Sequence, residues 1–146
     1  MALGSSHTSG VDAGDAITEG TLSRTIDFAR AFARETGAVI VITGEVDIAA
    51  DGAHAFSIRN GHPDMRRVTG TGCQLSAMTA AYLAANPTVP LTAAAAAVCA
   101  MGLAGETAHR RMTAMDGNAS YRNYIIDAVY NLTPEQLKEG AKYEIW

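Results

Sequence analysis

The sequence is poor in charge, in cysteine and in basic residues. Only 18% of its 146 residues are charged while 48% are hydrophobic, a balance that excludes disorder and calls for a packed core. Eleven Lys and Arg against fifteen Asp and Glu leave a formal net charge of −4. A chain of that sign has no electrostatic footprint for nucleic acid or for an anionic membrane surface. Its two cysteines, Cys73 and Cys99, fall in different expected elements, so they read as reduced thiols of a cytoplasmic protein rather than as a disulfide. The four histidines are scattered along the sequence without zinc-ligand spacing, and no metal ligand is assigned. The longest apolar run, Leu91 to Leu103, is too short and too rich in alanine to span a bilayer and is expected to be a buried helix. The N-terminus is polar and rich in Gly and Ser, unlike a signal peptide. The length suits one domain or part of a larger one.

What is present divides at about residue 20. Residues 1–20 are rich in Gly, Ser, Asp and Thr and are expected to be a loop or a ragged start. From there Leu22, Ile26, Ala29 and Ala33 recur at helical spacing, Phe28 and Phe32 widen the stripe, and Gly37 ends it. The β-branched run Ala38 to Ile42 predicts a strand buried on both faces, closed by Thr43-Gly44-Glu45. Val46–Ala49 and Ala53–Ile58 predict two shorter strands turning at Asp51-Gly52, followed by a polar loop from Arg59 to Val68. Helices are expected over Cys73–Ala85, about Thr92–Thr113 and about Ser120–Tyr130, with Pro90 keeping the intervening link out of helix. Thr133-Pro134-Glu135 looks like a cap opening a short last helix. This order of elements belongs to the α/β class.

Two short segments carry chemistry. Gly70-Thr71-Gly72-Cys73 lies directly before a helix. Two glycines around a small polar residue let the backbone turn tightly and approach a ligand. The helix start offers unpaired N–H groups and a partial positive charge, which together make a nest for an anion such as a phosphoryl group in transfer. A thiol at that first turn is biased toward thiolate and is able to accept a proton from a hydroxyl or to orient it. The same residues also describe an ordinary helix start with a buried, inert cysteine, and the motif alone does not separate the two. Thr43-Gly44-Glu45 closes a strand, where α/β sheets place ligands, so Thr43 is a candidate for a nucleotide phosphate; a plain strand-to-turn transition fits as well. His62, Arg66 and Arg67 read as solvated loop residues. Glu106, His109, Arg110 and Arg111 read as complements to a helix end, and Tyr121, Tyr124, Ile125 and Tyr130 as core packing.

Longer strings sharpen the comparison. Thr43-Gly44-Glu45-Val46-Asp47, Asn60-Gly61-His62-Pro63-Asp64-Met65, Val68-Thr69-Gly70-Thr71-Gly72-Cys73 and Met101-Gly102-Leu103-Ala104-Gly105-Glu106 resemble successive motifs of the hydroxyethylthiazole kinases, within the ribokinase-like superfamily. Ser120 to Ala128 and Leu132-Thr133-Pro134-Glu135 continue the likeness. Gly-Thr-Gly-Cys is shared with hydroxymethylpyrimidine kinases; the Thr-Gly-Glu-Val-Asp and Gly-His-Pro strings resemble the thiazole enzymes. The resemblance implies a partial ribokinase-like three-layer α/β fold, its central, mostly parallel sheet flanked by helices, with residues 21–146 forming the C-terminal part of a single kinase domain. It implies ATP-dependent phosphorylation, with Mg2+, of the hydroxyl of 4-methyl-5-(2-hydroxyethyl)thiazole in thiamine salvage. By position, Thr43 would contact ATP and Gly70 the thiazole. Gly70, Thr71, Gly72 and Cys73 would form the anion hole, with Cys73 where many relatives carry an aspartate base. It further implies a homotrimer with sites between subunits. An arginine contacting ATP and an Asn-x-x-Glu magnesium motif would belong to an N-terminal half not seen in this sequence. A pyrimidine kinase, or an inactive fragment that binds only nucleotide or a partner, remains as the alternative.

Overall fold

In a computed structural model, which describes residues 20–146, the first helix, α1 (Leu22–Thr36), buries one stripe made of Leu22, Ile26, Ala29 and Ala33. Nearly all of the expected N-terminal loop lies outside the described residues. The helix ends where its periodicity ends: Gly37 takes a left-handed conformation and its N–H returns to the Ala33 carbonyl. The stripe packs on Val46, Ile48, Ala50 and Ala55, with Ile40 and Ile42 at its border.

All of those residues but Val46, which lies in the turn before β2, belong to a four-stranded sheet in the order β1 (Ile40–Ile42), β2 (Asp47–Ala50), β3 (Ala55–Ile58), β4 (Tyr143–Ile145). Every neighbouring pair is antiparallel, so the mostly parallel sheet expected for the whole fold is not what this part of it contains. The links 43–46 and 51–54 are of hairpin length, and a parallel pair needs a crossover of about a dozen residues or more. The β4 strand was not anticipated; it returns to pair with β3 after four helices. The strand buried on both faces is also not the first. All of β1 is only half-buried because it forms a sheet edge, whereas Ile48, Ala49 and Ala50 of β2 are completely buried.

The second face of the sheet is covered by α3 (Pro90–Arg111). Its Leu91, Ala95, Val98 and Cys99 pack on Ala49 and Ile58, with Val41 and Phe56 beside them. Residues alternate between the two helix layers along β2, Ile48 and Ala50 toward α1 and Ala49 toward α3, as a period of two requires. The α/β class and the three layers are therefore present. Pro90 does not hold the chain out of helix but opens α3 at its first position, where a missing N–H costs nothing. By length and composition α3 is apolar enough to cross a membrane, yet most of it is buried inside this fold.

Two further helices pack against α3: α2 (Thr71–Ala85) and α4 (Asn118–Asn131). Tyr121, Ile125 and Ala128 of α4 meet Met101, Ala104 and Ala108, while Tyr130, expected in the core, is exposed because it falls on the opposite face. The short α5 (Pro134–Gly140) starts with a full capping box between Thr133 and Gln136. The α2 helix has no charged side chain and also no buried residue.

Candidate functional site

The site is built outward from two glycines of α3. A Cβ at Gly102 would lie 2.6 Å from the backbone carbon of Asn60, and one at Gly105 would fall on the Met65 thioether. Their bare surface lets the segment Asn60–Met65 lie directly on α3. Asn60 then locks it there. Its side-chain N–H groups donate to Glu106 (3.1 Å) and to the Gly140 carbonyl (2.9 Å), and its oxygen accepts from the Lys142 N–H (2.8 Å). The Gly61 N–H also donates to Glu106, at 3.0 Å, and the Lys142 ammonium lies 2.9 Å from that carboxylate. Burial pushes the Glu106 carboxyl up, but the bonds from Lys142, Gly61 and Asn60 outweigh it and hold the group below its usual range.

A 3₁₀ turn, Pro63–Arg67, follows, where the sequence suggested only loop. The His62 ring caps it, its Nδ1 accepting the Asp64 N–H at 3.2 Å. Asp64 is a hub. One of its oxygens lies 3.3 Å from His109 Nε2 and 3.7 Å from His62 Nδ1, and the other lies 3.2 Å from Arg67. The two imidazoles stack with ring centroids 3.4 Å apart, and the Tyr121 ring stands edge-on to His109. Two of the scattered histidines thus meet in space. The spacing of His62 and Asp64 is visible in the sequence, but their union with His109 exists only after α3 has packed. Asn118 fastens the end of the turn by donating to the Arg67 carbonyl at 3.1 Å.

Three residues later the chain enters α2. Gly70 is its N-cap, with φ 97° and ψ 1°, a region open to glycine and hardly to other residues. The first ladder bond of α2 runs from Gln74 N–H to the Gly70 carbonyl at 3.0 Å, so the N–H groups of Thr71, Gly72 and Cys73 lie ahead of the ladder. The Thr71 hydroxyl is turned back to the Val68 carbonyl (3.3 Å). At Gly72 neither a positive φ nor a neighbouring atom calls for glycine; its effect is to leave the first turn bare. Cys73 is exposed, which removes the reading of a buried cysteine; the buried thiol is Cys99.

Thr43 stands at the carboxyl end of β1, exposed, in the turn before β2. The shape of that turn is held by Asp47, whose carboxylate accepts the Gly44 N–H at 2.9 Å. Burial pushes the Asp47 carboxyl up to about 6 against the opposing effect of that bond. The Cys99 thiol of α3 is pushed up to about 11, by burial first and then by the charge of Asp47. Through Val41 and Leu75, β1 and α2 border the same core cluster, so the two candidate segments rise from one foundation; no hydrogen bond joins Thr43 to residues 70–73.

The fold recurs elsewhere. The model of the hydroxyethylthiazole kinase family matches residues 2–135. A hydroxyethylthiazole kinase of Clostridium acetobutylicum is 53% identical over 146 residues, covering 99% of this chain and 54% of its own length. One from Desulfotalea psychrophila is 38% identical over 144 residues, covering 97% of this chain and 50% of its own. The solved structure of a hydroxyethylthiazole kinase from Pyrococcus horikoshii superposes with a TM-score of 0.78 at 31% identity, over 88% of this chain and 48% of that one. The chain spans about half the length of the relatives it matches.

Proposed function

The chain belongs to the hydroxyethylthiazole kinase family, and on that premise we propose that it carries the phosphoryl-transfer site of an ATP-dependent kinase acting on the primary hydroxyl of 4-methyl-5-(2-hydroxyethyl)thiazole. One observation carries this reading: three successive N–H groups, of Thr71, Gly72 and Cys73, lie ahead of the α2 ladder, beyond a left-handed Gly70 and beside a bare Gly72. Such donors are fixed before the reaction and meet the charge that gathers on the transferred phosphoryl oxygens.

In this reading the acceptor hydroxyl attacks the terminal phosphorus of ATP, the bond to the bridging oxygen breaks, and ADP leaves. Gly70 borders the thiazole and the anion hole of Gly70 to Cys73 holds the transferred group. In this reading the exposed Cys73 sulfur, as its thiolate, takes the hydroxyl proton, or the side chain orients the hydroxyl. Thr43 contributes a hydroxyl to the nucleotide phosphates from a turn that Asp47 braces. Magnesium, when bound, neutralises phosphate charge. It favours oxygen ligands, whereas the metal-spaced cluster among the described residues contains two imidazoles, so no magnesium ligand is assigned here. The complete enzyme is assigned to the cytoplasm and to a homotrimer on the family resemblance.

The test couples ADP release to NADH oxidation, with ATP, magnesium and the thiazole alcohol, on a chain that includes the complementary half and on the present chain. Turnover of the thiazole alcohol in preference to hydroxymethylpyrimidine by the longer chain is expected. Preference for the pyrimidine, or no turnover of either, overturns the assignment.

A further inference from the structure

Outside the nest, His62, Asp64 and His109 bring two imidazoles and one carboxylate close together. We propose that these three side chains form a binding site for a divalent transition-metal cation of the zinc type, one that clamps the 3₁₀ turn to α3. The inference is independent of the kinase reading.

The distances carry it. Tetrahedral zinc with ligands at about 2.0–2.1 Å holds neighbouring ligand atoms about 3.3–3.4 Å apart. Here His109 Nε2 lies 3.3 Å and His62 Nδ1 3.7 Å from one Asp64 oxygen, and all three atoms fall within 4.8 Å of one another. Two imidazoles and one carboxylate suit zinc, cobalt or nickel and disfavour magnesium or calcium, which take oxygen ligands. The two rings stack with centroids 3.4 Å apart, and side-chain rotation that fans them apart would turn both toward one cation. All three side chains are about one-third exposed, which leaves an entry path and an open fourth position.

The neighbouring groups fit an outer shell. Arg67 holds the second Asp64 oxygen at 3.2 Å, as partners that orient a ligating carboxylate do. It is largely exposed, so it can swing away as a cation enters. Tyr121 fixes the His109 ring from the edge, and its hydroxyl is occupied with the Gly105 carbonyl at 3.1 Å. The Asp64 N–H to His62 Nδ1 contact, at 3.2 Å, is the bond that a metal would replace. Because Arg67 is three residues from Gly70, a cation here would stiffen the approach to the nest.

The test titrates the chelator-treated chain with Zn2+ by calorimetry and with Co2+ by visible absorption. One Zn2+ per chain at micromolar concentration is expected. The Co2+ spectrum should show d–d bands without a thiolate charge-transfer band, which excludes Cys73 and Cys99 as ligands, and millimolar Mg2+ should leave it unchanged. Asp64→Asn and His109→Gln should each weaken Zn2+ binding at least tenfold, with circular dichroism confirming the fold. The double variant His7→Ala/His54→Ala should bind as the parent does. No Zn2+ binding at micromolar concentration, binding unaffected by both ligand variants, or binding lost in the control overturns the proposal.

Discussion

Gly70 and Gly72 differ by two positions and should fail in opposite ways. A Cβ at Gly70 meets no atom within 4 Å, so space does not exclude a side chain. The φ of 97° does, because an L-residue held there pays about 1–2 kcal/mol for the left-handed backbone. Gly70→Ala should therefore lower unfolding free energy by about that amount, measured by urea denaturation at neutral pH. Gly72 has neither constraint: its φ is not positive and its surroundings are open. Alanine is the better helix former by up to about 1 kcal/mol, so Gly72→Ala should leave stability unchanged or raise it. Its methyl group would cover the first turn and keep a phosphoryl group from the N–H donors. In the complete kinase turnover should fall about 10²-fold, the scale of one lost oxyanion donor. Two results refute the reasoning: a Gly72→Ala protein as destabilised as Gly70→Ala, or one with full turnover.

Three further outcomes follow from the site. The Asp47 carboxyl sits at about 6 when folded against an ordinary 3.8, so its burial is costless below pH 4 and costs on the order of 3 kcal/mol above pH 6. Asp47→Asn, which keeps an oxygen for the Gly44 N–H, should thus be more stable than the parent at pH 7 and flatten the loss of stability between pH 4 and pH 6, read from urea midpoints across that range. Asn60→Ala removes three hydrogen bonds and strands the Gly140 carbonyl and the Lys142 N–H; a loss of about 2–3 kcal/mol is expected in the same assay. In the complete enzyme, Cys73→Ala should lower kcat far more than it weakens ATP binding, and an unchanged kcat would remove the thiol from the chemistry.

The local signals in the sequence were enough for the elements that obey them. The Leu22–Ala33 stripe, the Gly37 stop and the Thr133 cap each depend on neighbours a few residues away, and each is present. The α2 helix is also present, but it starts at Thr71 with Gly70 as its N-cap, two residues before the expected Cys73. What the sequence concealed depends on distant packing. Tyr143–Ile145 is too short to announce a strand and becomes one only against β3. The antiparallel sense of the sheet depended on hairpin links, which the expectation for a whole ribokinase-like sheet overrode. His109 lies 47 residues from His62 and reaches it because Gly102 and Gly105 let the loop settle on α3; their role as a landing surface has no signature beyond two glycines at helical spacing. Asp47 reads as one more polar residue after a turn until burial and the Gly44 bond reveal it as a brace.

The last strand ties two distant parts of the chain together. Trp146 exchanges backbone hydrogen bonds with Ala55 at 2.9 and 3.1 Å, and its indole N–H donates to the fully buried Ser57 hydroxyl at 3.0 Å. Trp146→Phe would keep the backbone pairing but take that donor from a hydroxyl that water does not reach. The seam between β3 and β4 should then open more often, and hydrogen exchange at the Ala55 amide should quicken while α4 keeps its protection.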